Sequence, residues 1–354
     1  MNKMTAKYIS ITAIVAVVVN LGFSQTPTRV GTTTANFLEY GFGPAGCAMG
    51  DAYVSMANDL SSVYWNPAGL ANMSQSEAMF TQQPWIVDIN TSLAAAGVVV
   101  PRVGTIALSL ISADYGEMDV TTLAMQEGTG EKFSVSDAAM LFSYGRKLAT
   151  WFSFGLSTKY VSSSIMHTKA SAFAVDLGVL INTPFFSPDG KRENGLNIGM
   201  SVSNYGTRMK YDGVDLVNPI DILPEEEGNF RDVPGQFRLQ EWELPLIFRI
   251  GISVNPILTE RQKLTLAIDG LHPNNNAESV NSGVQYMLKI SNVSKVFLRA
   301  GYKALFMEDS QYGLSFGGGI ILHVFGNKAI KVDYAVRDIG ILGNVNSYSI
   351  GMLF

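Results

Sequence analysis

Ser347-Tyr348-Ser349-Ile350-Gly351-Met352-Leu353-Phe354 ends the chain. Tyr348, Ile350, Met352 and Phe354 fall on one phase of a period of two, and Ser347, Ser349, Gly351 and Leu353 on the other. Successive side chains of a β-strand point to opposite faces. The stretch therefore predicts a strand with one aromatic and apolar face and one mostly small or polar face. Its apolar phase, finishing on Phe354, also reads as a C-terminal barrel-assembly signal.

The same alternation recurs upstream. Phe152, Phe154, Leu156 and Tyr160 oppose Ser153, Gly155, Ser157 and Lys159, and Phe173, Val175, Leu177 and Val179 oppose Ala172, Ala174, Asp176 and Gly178. Tyr312, Leu314, Phe316, Ile320 and Leu322 oppose Gln311, Gly313, Ser315, Gly317 and Gly319, and Leu264, Leu266 and Ile268 oppose Thr265, Ala267 and Asp269. Strands of soluble sandwiches run about five or six residues. These runs are about 9 to 14 residues long, which suits a tilted strand crossing a bilayer. Lys159, Asp176, Asp269 and Arg299 all lie on the phase away from lipid, as they must if a basic group at the lipid midplane costs about 2–4 kcal/mol.

Candidate strands cover 76–82, 91–100, 104–114, 134–145, 150–162, 170–182, 194–204, 244–254, 263–271, 280–290, 294–303, 311–324, 328–336 and 346–354. The fold class is thus all-β, a transmembrane antiparallel barrel of about 14 strands, an even number as bacterial barrels require. With the N-terminal segment and Phe354 both placed in the periplasm, the outward connections include Tyr115 to Phe133 and Tyr205 to Glu243. Inward ones include Pro101–Val103, Arg146–Ala149, Ser291–Val293 and Phe325–Asn327, and Thr183 to Glu193 is the one inward turn longer than expected. Long outside and short inside is the outer-membrane pattern.

Such a barrel is too wide to be filled by its own side chains. The material available is Gly41 to Met73, GFGPAGCAMGDAYVSMANDLSSVYWNPAGLANM, which has no strand pattern. The expected layout is a leader at 1–24, a short helical hatch or plug within 25–75, and a barrel over 76–354. The leader reads from Lys3 and Lys7, the apolar run Tyr8 to Val19 and the small-residue site Gly22-Phe23-Ser24. Cys47 is the only cysteine, so no intrachain disulfide is available. The formal net charge is −5; loss of the leader removes two lysines and no acids and takes it to −7. An acidic exported chain without a Lys/Arg block excludes nucleic acid as a partner. The implied location is the outer membrane of a Gram-negative-type bacterium, with outer-membrane lipid as surroundings.

Gly41-Phe42-Gly43-Pro44-Ala45-Gly46 matches the letters of a dinucleotide fingerprint but lacks the strand–turn–helix context, and Pro44 removes a backbone donor where phosphate would sit. The structural expectation is a helix with a small-residue surface of Gly46, Ala48, Gly50, Ala52 and Ala57. Asp59 or Ser61 would cap a second short turn. Asn66-Pro67-Ala68-Gly69-Leu70 would end it, with Gly69 free to take a positive φ. Tyr64 and Trp65 would sit at the periplasmic rim or pack inside the lumen. The hatch residues singled out are Gly43, Gly46, Met49, Gly50, Tyr53, Asp59, Trp65, Asn66, Pro67 and Gly69.

Two strings carry a resemblance: Gly50-Asp51-Ala52-Tyr53-Val54 followed by Ala57-Asn58-Asp59, and Ser62-Val63-Tyr64-Trp65-Asn66-Pro67-Ala68-Gly69-Leu70. The chain resembles the PorV/PorQ family, relatives of the FadL long-chain fatty-acid channels. The resemblance implies a fourteen-stranded barrel with an N-terminal hatch and a role as a non-catalytic component of type IX protein secretion, binding translocon and cargo proteins. Relatives commonly carry G-A-R-x-x-G-M-G. Here Gly43-Pro44-Ala45-Gly46-Cys47-Ala48-Met49-Gly50 has no arginine, which puts any hatch salt bridge made by that residue in question. The alternative expectation is a FadL-like channel for hydrophobic small molecules.

His167, His272 and His323 lie far apart, and no H-E-x-x-H, EF-hand, Walker or G-x-S-x-G spacing occurs, so neither catalysis, cofactor nor metal is expected. The remaining functional candidate is the acidic outward stretch, where Glu225, Glu226 and Glu227 are interleaved with Phe230, Phe237 and Trp242. Acidic oxygens suit Ca²⁺ and exposed aromatics anchor interfaces, so this loop is the expected partner-binding platform.

Overall fold

A computed structural model describes residues 29–226, 233–307, 310–324 and 326–354. The leader expected at 1–24, and Glu227 and Phe230 of the acidic loop, lie outside the described residues.

Fourteen long strands close a barrel: β1 (Glu77–Pro84), β2 (Asn90–Val100), β3 (Gly104–Asp119), β4 (Lys132–Ala149), β5 (Phe152–Ile165), β6 (Thr168–Asn182), β7 (Asn197–Gly206), β8 (Ile247–Leu258), β9 (Gln262–Pro273), β10 (Ser279–Lys289), β11 (Ser294–Leu305), β12 (Leu314–His323), β13 (Ala329–Asp338) and β14 (Asn344–Leu353). Each pairs antiparallel with its neighbour in sequence. β7 meets β8 through Ile247↔Ser203 to Ser253↔Asn197, and the seam closes between β1 and β14 through Glu77↔Leu353 to Gln82↔Tyr348. Closure leaves no free edge, the condition for a sheet to sit in hydrocarbon.

The outward phase is apolar and exposed. Leu298 is 60% and Ile350 57% accessible, and Phe173, Phe316, Tyr348, Met352 and Phe354 are exposed beside them. The inward phase is buried and polar: Ser157, Lys159, Asp176, Asp269, Arg299 and Asp333. Among the described residues no helix is long and apolar enough to cross a membrane. Together these features make the chain an outer-membrane barrel.

Several expectations need correction. β3 and β4 continue past the expected ends, so the connection expected over Tyr115 to Phe133 is largely a protruding hairpin, with Val120 N donating to Glu131 O at its tip. The stretch from Tyr205 to Glu243 is not a free loop. It contains a small hairpin of Val217–Ile220 and Val233–Gln236, pairs Asp212–Gly213 with Lys169 and Thr168 at the outer end of β6, and sends Met209 into the core, where Leu244, the next residue after the stretch, is also buried. The outer rim is also not uniformly long, because Met166 takes a φ of 51° in a tight turn between β5 and β6. The long inward turn between β6 and β7 stands, organised by Asp189, whose carboxylate accepts from Lys191 N at 3.0 Å and from Asn194 Nδ2 at 2.8 Å.

The β6–β7 ladder slips between Val175 and Leu177. Asn204, at a φ of 64°, donates its backbone N–H to Asp176 at 2.8 Å. Lys159 binds both Asp176 at 2.7 Å and the Asn204 amide oxygen at 2.6 Å. A buried charge is tolerated only when paired and hydrogen-bonded, and this trio meets that condition inside the wall.

Leu298→Arg, which puts a guanidinium on the lipid side of β11, is expected to lower barrel stability by about 2–4 kcal/mol. Denaturant unfolding in lipid vesicles, followed by the heat-modifiable gel shift, checks it; a variant as stable as the parent would contradict a lipid-facing Leu298.

Candidate functional site

The lumen is occupied by the chain's own N-terminal segment. It contains two short helices, α1 (Pro44–Ala48) and α2 (Ser62–Trp65), and 3₁₀ turns at Asn36–Glu39 and Pro67–Asn72. The small-residue face therefore belongs to one helical turn followed by loops. Propensity favours no longer helix here, with Gly46, Gly50 and Pro44 in the path.

The first described residues of the segment lie at the outer end of the barrel, not on the periplasmic side expected. Thr33 bridges Glu243 at the outer end of the long loop. Asn275, in the outward β9–β10 connection, donates to Thr33 Oγ1 at 2.8 Å and to Glu39 at 3.3 Å. From there the chain descends to the inner rim, where Gln75 donates to Asn327 O at 2.8 Å and Phe354 N donates to Ser76 O at 2.9 Å. Tyr64 and Trp65 are inside the lumen rather than at the rim. Tyr64 OH donates to Leu38 O and accepts from Gly41 N, each at 3.0 Å, and Trp65 meets Tyr64 and Tyr53 edge-on, at 4.9 and 6.1 Å between ring centroids.

Irregular backbone buried in a membrane barrel has to find partners for its N–H and C=O groups. The wall supplies them. Asp269 accepts from Val54 N at 2.8 Å, Glu77 from Leu60 N at 3.0 Å, and Gln83 and Arg337 donate to Gly41 O and Tyr40 O at 3.2 and 3.1 Å. Asn66 is the hub: its amide donates to Val54 O at 2.8 Å and to Val179 O of β6 at 3.1 Å, while its oxygen accepts from Ala68 N at 3.1 Å. Asn66-Pro67 does not end the segment. Asn66 caps the next 3₁₀ turn, with Pro67 in its first position, where a missing N–H costs nothing.

Glycines set how closely segment and wall approach. A Cβ on Gly155 would overlap Pro67 and Ala68, one on Gly178 would overlap the Asn66 amide, and one on Gly283 would lie 2.5 Å from Met49 O. On the segment side Gly50 has a φ of 64° and lies against the Tyr302 backbone, and Gly46 lies flat on the Trp65 ring. Gly43 has a φ of 97° ahead of α1. Gly69 does not take the positive φ expected of it; it is glycine because a side chain would collide with Ala57 O and Ser62 Oγ.

Charge follows a division that the missing arginine hides. Among the described residues before β1, the lumen-filling stretch from Asn36 onward carries Glu39, Asp51 and Asp59 and no base; the wall carries the bases. Asp51 pairs with Arg337 of β13, and with Lys303 of β11 at 2.8 Å. Asp59 pairs with Lys331 of β13. Burial opposes ionisation of Asp59, yet Lys331 outweighs it and holds the carboxyl below its ordinary range. Arg299 reaches Asp333 at 2.6 Å and Gln285 at 2.7 Å. Burial pushes the Cys47 thiol up to about 11, which leaves it protonated and unreactive at neutral pH.

At the outer end a pocket of about 100 Å³ remains between segment and wall. Tyr64, Trp65, Ile247, Leu271 and Met307 give it apolar walls, and Glu39, Asp51, Arg249 and Lys303 polar ones. Arg249 is buried, donates to Ser203 Oγ at 3.0 Å and lies 5.8 Å from the centre of the Tyr64 ring. Burial raises the Glu39 carboxyl above its usual value, against the hydrogen bond from Asn275. Sequence reading missed Glu39, Arg249, Lys303 and Arg337; the signal for the three bases is a charge on the inward phase of a strand, the same signal that marked Arg299, whereas Glu39 sits in a 3₁₀ turn of the segment and no strand pattern marks it.

The other singled-out residues lie elsewhere. Met49, Tyr53 and Asp59 join the hatch packing. Glu225 and Glu226 are exposed, Phe237 and Trp242 project from the outer loop, and Tyr348, Ile350, Met352 and Phe354 face outward at the β14 seam. His167 and His272 bind Asp215 and Glu278 at the outer rim, at 2.9 and 2.8 Å, and His323 is at the inner rim. Among the described residues no three His, Cys, Asp or Glu side chains converge on a metal position.

No protein-family model matches the sequence, and no curated protein does. Solved structures do. The Ralstonia pickettii toluene transporter TbuX aligns at 11% identity with a TM-score of 0.52, over 88% of this chain and 97% of that one. A Pseudomonas aeruginosa FadL homologue aligns at 11% and 0.51 over 93% and 99%. The P. putida toluene transporter TodX aligns at 10% and 0.54 over 88% and 96%. The likeness is one of fold, and the fold is that of a FadL-like barrel.

Two outcomes test the seating. Cys47 is expected to resist maleimide in the native barrel and to react in Gly155→Val, whose side chain displaces Pro67; labelling equal in both would break the link between that contact and closure. Asp51→Ala leaves Arg337 and Lys303 without their carboxylate, a loss of about 3–5 kcal/mol for a buried pair. In planar bilayers it should open more often than the parent, and a variant as silent as the parent would argue against ion pairs holding the segment.

Proposed function

We propose that this chain is a FadL-like outer-membrane channel for a hydrophobic small molecule, kept shut by its N-terminal segment. The observation that carries the reading is how the lumen is closed. The plug is not part of the barrel ladder; it rests on glycine contacts, side-chain hydrogen bonds and the Asp51 and Asp59 ion pairs, which can be exchanged without unzipping a strand. The outer pocket supports the same reading. Trp65, Leu271 and Met307 give a hydrophobic molecule a first apolar surface at the outer mouth, in a space of about 100 Å³ that is smaller than the dry cavity of about 150 Å³ known to accommodate benzene. TodX and TbuX are described as toluene transporters and CymD as a monoaromatic hydrocarbon channel, and the shared fold is what supports a comparable cargo class for this barrel.

Uptake decides it. Cells lacking their own hydrocarbon channels and expressing this protein should accumulate radiolabelled toluene faster than vector controls, severalfold at low external concentration, and Trp65→Ala should change that rate. Uptake no faster than the vector would overturn the channel reading.

A second reading, the secretion component implied by the PorV/PorQ resemblance, is favoured by one observation: Phe237 and Trp242 are exposed on the same outward stretch that carries the exposed Glu225 and Glu226, and exposed aromatics are common interface anchors. Purification from native membranes that recovers a large translocon or secreted proteins would support it, and recovery of the barrel alone would count against it.

A further inference from the structure

Below the plug, at the periplasmic ends of β9 to β12, the lumen wall carries Lys263, Lys289, Lys295 and His323. They share the inward phase of Thr265, Asn281, Arg299 and Ser315, all of which are buried. Lys289 and Lys295 are direct register partners across β10 and β11. Lys263 stands opposite Met287, diagonal to Lys289, a separation of about 7–8 Å in such ladders. Like charges directly opposite one another destabilise a sheet, and here three ammonium groups meet on one patch.

Higher in the lumen Arg299 and Lys331 are held by Asp333, Asp59 and Glu77, whereas among the described residues no salt bridge reaches Lys263, Lys289 or Lys295. Asp189 and Glu193, on the β6–β7 turn, act on Lys263 only at a distance. The three lysines are partly buried but not enclosed, and His323 Nδ1 beside them is buried without a hydrogen-bond partner.

We propose that this cluster binds an oxyanion, a phosphate or carboxylate group carried by a molecule that reaches the barrel from the periplasm. Lysine ammonium groups are compact point charges suited to such anions. Met287, Phe297 and Ile321 lie among them on the same face and give the remainder of the ligand an apolar surface. The site is separate from the outer pocket and does not depend on what crosses the outer mouth.

The test uses the full-length barrel in nanodiscs of zwitterionic lipid, with thermal unfolding followed in inorganic phosphate and in sodium chloride of equal ionic strength. Phosphate should raise the Tm of the wild type beyond the chloride control, as a ligand of the folded state does. In Lys289→Gln/Lys295→Gln the apparent phosphate affinity should fall at least tenfold. Without phosphate that variant should melt no lower than the wild type, because the opposed charges are gone. A second arm replaces phosphate with nanodiscs containing phosphatidylglycerol; lysine-dependent stabilisation there instead identifies a lipid headgroup as the source of the oxyanion. If the double variant does not fold, Lys263→Gln reads the same loss with the opposed pair intact. Equal responses of wild type and variant in both arms, or a variant that melts well below the wild type with its phosphate response unchanged, would overturn the proposal.

Discussion

A fourteen-stranded barrel encloses more volume than its inward side chains can fill, and whatever fills it brings peptide groups that need partners away from bulk water. Much of the interior follows from this constraint. The filler approaches the wall where the wall has no side chain, at Gly155, Gly178 and Gly283, and its irregular backbone is satisfied by Asp269, Glu77, Gln83 and Arg337. Asn66 is central because one amide can bridge two stretches of the segment and one strand of the wall at once.

The same constraint sorts the charges. A filler with only acids, facing a wall that supplies the bases, can settle in one register only, because Asp51 must reach Arg337 and Lys303 while Asp59 reaches Lys331. Apolar packing of Phe37, Phe42, Val63 and Leu70 is less particular about a shift along the axis. Position is set by the ions, and bulk by the hydrophobic residues.

The fourteen strands, their phases and the presence of a lumen filler were legible in the sequence, because period-two patterning is local and each strand declares itself. The partners inside the barrel were not. Asp51 and Arg337 are joined only once the sheet has closed on itself, and no pattern within one segment encodes that pairing. Gly69 was readable as a glycine in a turn but not as a contact with Ala57, since that depends on two turns folding together. The direction of the segment was hidden for the same reason: Thr33 and Asn275 meet across the mouth of the barrel. Strand ends at the outer rim ran past expectation because the β3–β4 hairpin continues pairing beyond the apolar band, where alternation no longer marks it.

Glu77 lies on β1, at the seam with β14, and it also accepts the Leu60 N–H of the filler. The last pair of strands to come together in a closed sheet is therefore partly built from a contact with the object inside it. Glu77 therefore serves the lumen and the wall at once: its backbone pairs with Leu353 while its carboxylate holds the filler, so a misplaced segment disturbs the seam as well as the interior.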